Sequence, residues 1–399
     1  MDAYLLDWVS FLLRWAHVVV AVAWIGASFY FVFLDTSLVA PRDPVLRERG
    51  VDGELWAVHG GGFYNPQKYM VAPRQLPEHL HWFYWESYST FLTGFALFTA
   101  IYLFQAGTFL IDPRLHAWTA GGAVAAALAF LALFWLAYDA ICRLFEVRGG
   151  QRAMALCIVA LAVFAAWLAC HWFAGRAAFV LVGAAMGTAM SANVFFWIIP
   201  GQRQVIAQMK AGTPVDPAHG RRAKQRSVHN TYFTLPVLAA MLSNHYAVLH
   251  GAAGNWVVLV ALMAAGALIR HSFVARHRAL VLGRRVPWEF AGAGVLVLVA
   301  LGVWLAPPPP AAQAGAAPGA PGFAEVRAIV AARCSVCHNA AVANKNVRLD
   351  SAEAILAHAP QVDQQAVVLK AMPLNNATGI TDAERDALRR WFEAGASPK

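Results

Sequence analysis

Charge is scarce in this chain, and that scarcity excludes a protein covered by solvent on every side. Only 13% of the 399 residues are Asp, Glu, Lys or Arg, whereas 59% are hydrophobic, with 15 Trp and 24 Phe. Such a composition belongs to a membrane protein. Cysteine is scarce too: apart from Cys334 and Cys337 there are only Cys142, Cys157 and Cys170, all in long apolar stretches. A zinc ribbon needs a second closely spaced cysteine pair and is excluded. The three upstream thiols read as small buried apolar groups. No internal repeat is visible, which argues against a transporter built from two related halves. The first apolar stretch lacks a basic start and is too long for a cleaved leader, so it is expected to be the first span.

A span needs roughly 20 mostly apolar residues. About eight such segments are expected, near 8–33, 83–104, 117–140, 153–172, 177–199, 232–249, 256–274 and 290–305. One set of intervening loops holds the clusters around Arg42, Lys68 and Arg74, around Arg143 and Arg152, from Arg203 to Arg226, and from Arg276 to Arg285. The alternate loops hold only Arg114 and Arg176. Because cationic loops are retained in the cytoplasm, both termini are expected outside. The formal net charge of +9 then reflects membrane topology and gives no footprint for nucleic acid. Three regions follow: a membrane domain, 1–306; a Pro/Ala/Gly-rich tether, 307–322, too poor in apolar side chains to fold; and a small terminal domain, 323–399.

That terminal domain contains Cys334-Ser-Val-Cys337-His338, and CxxCH is the attachment pattern of a c-type haem. Both thiols add to the haem vinyl groups, and His338 follows as the proximal iron ligand. A thioredoxin-like dithiol would need alternating strands and helices. Here 323–333 and 382–393 read as helices around a loop-rich middle, the second opening with a capping box from Thr381 to Glu384. Met372, flanked by turn residues, is the expected sixth ligand, with His358 as its competitor. A His/Met pair gives a relatively high potential, suited to accepting electrons. Haem c is attached on the outer side of a bacterial inner membrane, so motif and charge bias place this domain in the periplasm.

Polar residues within spans need a partner or a task. Arg14, His17 and Trp24 share one face of the first span, with His17 near mid-membrane. His245, His171 and His250 belong to an outer layer. An inner layer holds His79, His81, Glu86, His229, Asn230, Arg270 and His271, with Asn193 buried in the fifth span. Two readings stand for the histidines: hydrogen bonds between helices, or an outer pair, His17 with His245, ligating a non-covalent haem b. The loop from Glu54 to Tyr69, with His59-Gly-Gly-Gly-Phe63-Tyr64-Asn65 and then Arg74, offers glycines, rings and cationic groups. It reads either as a mouth for a flat anion or as an aromatic belt on the membrane surface.

Trp15-Ala-His17-Val, Ala23-Trp24-Ile-Gly26, Gly60-Gly-Gly-Phe63-Tyr-Asn65, His81-Trp-Phe-Tyr-Trp85 and a CSVCH domain closing with Met372-Pro373-Leu-Asn375-Asn376 together resemble the bacterial membrane-bound urate oxidases, or urate hydroxylases. The resemblance implies an all-α polytopic membrane bundle fused to a class I-like cytochrome c domain. It also implies oxidation of urate to 5-hydroxyisourate, with water adding at C5 and the electrons passing through haem c to an acceptor of the respiratory chain. Such chemistry asks for cationic groups to hold the urate anion, with Arg74, Lys68 and Arg270 as candidates. It also asks for a base near neutrality, with His81, His229 and His271 as candidates and Glu86 beside them. Two rival readings are a non-catalytic haem-bearing membrane subunit and a redox-gated purine transporter. A third keeps the oxidase but changes its substrate.

Overall fold

The computed structural model describes residues 2–69, 72–306, 321–343 and 347–398. In chain order, α1 (Asp2–Ser37) and the short α2 (Pro44–Glu48) lead to four short strands, β1 (Val51–Glu54), β2 (Ala57–His59), β3 (Gly62–Tyr64) and β4 (Gln67–Tyr69). Next come α3 (Trp85–Phe98), extended by a π-helical turn at Thr99–Leu103, then α4 (Ala106–Phe109), α5 (Ala120–Arg148) and α6 (Gln151–Trp172). A π-helical turn at Asn193–Ile198 joins α7 (Gly175–Ala192) to α8 (Ile199–Lys210). The bundle closes with α9 (Pro217–Ser243), α10 (Ala247–His250), α11 (Asn255–Val281) and α12 (Glu289–Trp304). The C-terminal part holds α13 (Phe323–Arg333), α14 (Ala352–Ala357), α15 (Ala359–Val362) with a π-helical extension to Val368, and α16 (Asp382–Glu393).

Among the described residues, five helical stretches are long and apolar enough to cross a membrane: those of α1, α5, α6, the α7–α8 unit and α11. α12 is apolar but shorter. α7 runs through the middle of the bundle against α5, α6 and α9. Its Ala177, Phe179, Leu181, Val182 and Ala185 are fully buried. Small residues permit this, because association between helices in lipid depends on close backbone approach. A Cβ on Gly183 would stand only 3.1 Å from that of Ala240 on α9. By contrast, no residue of the apolar window of α1 is buried; α1 lies at the edge of the bundle against α3 and α11.

The chain is mostly helical, and two local features differ from expectation. Within residues 51–69, β1 pairs antiparallel with β4, and β2 with β3. Gly60 and Gly61, at φ +58° and +81°, form the two-residue turn of the inner hairpin, a conformation that side chains with a Cβ resist. The sixth apolar segment is also displaced. Asp216 caps α9 by accepting from the Ala218 amide at 2.8 Å, with Pro217 in the first turn, so the helix begins well before residue 232. It stops at Ser243, where the Ser243 hydroxyl and Asn244 amide take the carbonyls of Ala240 and Met241 at 2.6 and 2.7 Å. His245 therefore lies outside the helix.

The C-terminal helices surround a second, separate core of Phe323, Val326, Val330, Leu349, Ile355, Leu388 and Trp391. The expected capping box is present: the Thr381 hydroxyl accepts from the Glu384 amide at 3.2 Å, and the Glu384 carboxylate accepts from the Thr381 amide at 2.7 Å. Residues 307–320 of the expected tether lie outside the described residues.

Candidate functional site

At the arginine-rich end of the bundle, three helices bring polar side chains into its interior. α5 contributes Tyr138 and Asp139, α9 contributes Arg226, His229 and Asn230, and the π-helical turn after α7 turns Asn193 and Trp197 toward them. Such turns insert one extra residue and so re-aim side chains, often at functional sites. Asp139 accepts from Arg226 Nη2 at 2.8 Å, Arg143 Nε at 2.6 Å and Trp197 Nε1 at 2.8 Å. Arg226 also lies over the rings of Tyr138 and Trp197, 5.3 and 5.1 Å from their centroids. The Asn193 amide donates to Tyr138 Oη and to Asn230 Oδ1, both at 2.9 Å. With that oxygen accepting, the Tyr138 hydroxyl proton is available to His229 Nδ1, also 2.9 Å away. A cavity of about 130 Å³ opens beside this network along Trp197, Gln204, His219 and Arg222.

A second constellation lies on the other side of α9, between α1 and α11. Arg270 is only 6% exposed, and its guanidinium carbon stands 3.7 Å from the centroid of Phe29. Its Nε and Nη2 are buried without a hydrogen-bond partner. Among the described residues no carboxylate forms an ion pair with it. The adjacent His271 faces a different neighbour, its Nδ1 2.8 Å from the Tyr232 hydroxyl and its ring edge-on to Phe290. Among the described residues the bundle therefore carries two Tyr–His pairs and two buried arginines, of which only Arg226 has a counter-charge.

At the opposite end, His17 Nδ1 lies 3.1 Å from the Thr93 hydroxyl of α3. Its ring rests on Gly94, where an added Cβ would meet it at 2.8 Å. His245 is exposed beyond α9. No contact joins the two imidazoles among the described residues. A larger cavity, about 350 Å³, lies between the loops at this end and the segment preceding α16, lined by Asp112, Arg114, His171, His250, Lys370 and Asn376 among others. Burial, then the charge of Arg176, pushes the pKa of His250 in this loop down to about 4, so it stands neutral at physiological pH.

The C-terminal residues fit a covalent haem. Cys334 and Cys337 are both free thiols, the first half-buried against the core and the second exposed. Burial pushes the Cys334 pKa up to about 11, leaving an undissociated thiol. His338 Nδ1 lies 3.1 Å from the Val347 carbonyl, an arrangement that fixes the tautomer and leaves Nε2 free for a metal. Met372 packs half-buried on the same core, its carbonyl accepting from Arg385 at 2.9 Å. His358 likewise turns its Nδ1 to a backbone carbonyl, that of Ala354 in the preceding helix, at 2.9 Å. Among the described residues no group of three or more His, Cys, Asp or Glu is placed to hold a metal ion.

A family described as urate oxidase N-terminal matches residues 3–306. The chain belongs to that family. No curated protein and no solved structure matches it. The match ends where the apolar bundle ends, so the urate oxidase N-terminal segment contains both buried arginine sites and stops short of Cys334.

Within this segment the residues expected from sequence separate. His229, Arg270 and His271 are inside the bundle. Arg74 and His81 are exposed, Arg74 beside Gly50 and His81 edge-on to Phe83 at 4.7 Å. Glu86 opens α3, its backbone carbonyl accepting from the Thr90 hydroxyl at 2.6 Å. Lys68 is paired with Asp35. The loop polar group Asn65 is used structurally, donating to Glu54 at 3.0 Å and to the Leu55 carbonyl at 3.2 Å. Tyr138, Asp139 and Arg226 were missed. The signal was present in Asp139, a carboxylate inside an otherwise apolar run, which in a membrane segment calls for a cationic partner.

Proposed function

We propose that this chain oxidises urate to 5-hydroxyisourate in the bacterial inner membrane and delivers the electrons to a covalent haem c in its own C-terminal domain. The observation that carries the reading is the conjunction of a urate oxidase N-terminal match over 3–306 with a CxxCH segment in the same chain, whose His338 and Met372 suit iron ligation.

Support for the membrane setting comes from five long apolar helices, together with α3, α9 and α12 over the remaining expected segments. Eight spans, a cytoplasmic arginine-rich end and a periplasmic C-terminal domain follow from the loop charges. In this reading 1–306 is the catalytic membrane domain, 307–322 the tether and 323–399 the electron-accepting domain.

The net reaction is balanced as urate plus water giving 5-hydroxyisourate, two protons and two electrons. Removing the electrons makes C5 electrophilic toward water. When bound at Cys334 and Cys337, the haem would supply a one-electron acceptor of relatively high potential, so each urate requires two successive one-electron transfers onward to the respiratory acceptor. The chain's own residues hold the anion, exclude bulk water and accept protons. The Tyr232–His271 pair beside Arg270 is the proton-accepting group of the bundle, its ring nitrogen hydrogen-bonded to a phenol.

The test uses the full-length oxidised protein, purified in detergent and kept anaerobic. Urate should reduce the haem absorption bands while 5-hydroxyisourate or its decay products accumulate. A haem that dithionite reduces and urate does not would overturn the reading.

A further inference from the structure

The two buried arginines of the bundle are in opposite electrostatic situations. Arg226 faces Asp139, which balances its charge. Arg270 sits 6% exposed in α11, roughly 23 Å along the helix from its start at Asn255. A guanidinium stays protonated at any accessible pH. A buried charge with no counter-charge is strongly destabilising, and an ionisable group at membrane depth normally has a partner. Among the described residues that partner is no carboxylate, so it is to be sought in a ligand.

The unpartnered atoms narrow the ligand further. Nε and Nη2 are the two nitrogens on one edge of the guanidinium, with parallel N–H bonds that suit two adjacent acceptor atoms of a planar anion. Phe29 covers a face of the group at 3.7 Å and so leaves recognition to the edges. The next residue, His271, holds the Tyr232 hydroxyl at 2.8 Å, adding a second ring and a proton acceptor to the same part of the bundle. Phe29 belongs to α1, whose apolar window has no buried residue, so the wall on this side is the one least tied to the core. The urate monoanion is planar and presents adjacent N and O acceptors along its edge.

We propose that the Nε–Nη2 edge of Arg270 is the seat of the substrate anion, a planar oxo-heterocycle bound edge-on beside Phe29 and Tyr232. Identifying that anion as urate rests on the function proposed above. The other source of an anion at this depth is a lipid headgroup, and the experiment separates the two.

Equilibrium dialysis with labelled urate is performed on the full-length protein in neutral detergent, for wild type, Arg270→Met and Arg270→Lys. The expected result is urate binding by wild type and a loss of roughly 100-fold or more in affinity in Arg270→Met. Arg270→Lys should recover little of it, since an ammonium lacks the two-donor edge. Thermal unfolding without urate supplies the control. Removing an unbalanced buried cation should leave the Arg270→Met midpoint equal to or above that of wild type, whereas a purely structural arginine would lower it.

Unchanged urate affinity in Arg270→Met, or a lowered urate-free midpoint with affinity retained per folded molecule, overturns the seat. So does a copurifying anionic phospholipid that disappears in Arg270→Met and that urate does not displace. If wild type fails to bind urate but binds another planar anion, such as benzoate or nicotinate, in an Arg270-dependent way, the seat stands and the urate reading falls. If wild type binds none of these, both fall.

Discussion

Replacing Asp139 by asparagine changes the charge opposite Arg226 while keeping side-chain size, and so isolates the electrostatic part of the α5–α9 contact. The Arg226 side chain is 1% exposed and that of Asp139 7%, with 2.8 Å between Nη2 and Oδ1. In Asp139→Asn one amide oxygen still accepts from Arg226 and Trp197. The amide nitrogen, however, replaces the oxygen that Arg143 Nε now meets at 2.6 Å, setting donor against donor. Breaking a buried pair by neutralising one partner costs about 3–5 kcal/mol. At about 2–4 °C per kcal/mol, a thermal midpoint in detergent, followed by tryptophan fluorescence, should fall by roughly 10 °C. The double variant Asp139→Leu/Arg226→Met removes both charges and should recover most of the loss, because an apolar pair of similar volume is often neutral or stabilising. A single variant that unfolds within about 2 °C of wild type, or a double variant no better than the sum of the singles, would refute a charge-balanced Arg226.

Three further outcomes are expected. Cys337→Ala should abolish normal two-thioether haem attachment, read as weakened haem staining on a denaturing gel and a shifted reduced pyridine haemochrome band for any haem held by Cys334 alone, while the apolar bundle still inserts in membranes; full staining with an unshifted band would refute the attachment site. Gly175→Ala should be severely destabilising, since its Cβ would stand 2.2 Å from the His250 carbonyl oxygen and 2.8 Å from Asn255 Nδ2; expression and midpoint near wild type would contradict that packing, against an overpacking cost of about 1–3 kcal/mol or more. For Glu384, burial acts to raise the pKa, but the Thr381 amide, Arg333 and the Thr381 hydroxyl outweigh it and hold the carboxyl below its ordinary value. The stabilisation is therefore present above that ordinary value and lost as pH falls through the lowered one, so Glu384→Gln should flatten the acid side of the C-terminal unfolding profile; an unchanged profile would remove Glu384 from that linkage.

Much of the architecture was legible because its causes are local. The helices at 323–333 and 382–393 and the Thr381 capping box depend on residues within a turn of one another. The long apolar runs announce α1, α5, α6, α7 and α11 by hydropathy alone. The inner hairpin was hidden because Gly60-Gly61 separates strands of only three residues, too short for an alternating pattern to stand out. The start of α9 was misread as loop because Arg221, Arg222, Lys224 and Arg226 make it look fully solvated.

By itself the sequence determined a mostly helical chain with several long apolar helices, since hydropathy is a simple sum along the chain. Which arginine has a counter-charge was not decided there. Asp139 and Arg226 lie 87 residues apart, and they meet only because α5 and α9 pack around α7, with the π-helical turn at Asn193 placing Trp197 between them. Arg270 and Phe29 are joined in the same way by the contact of α11 with α1. A buried charge is balanced or unbalanced according to what the neighbouring helices present to it, and that is a property of packing in three dimensions.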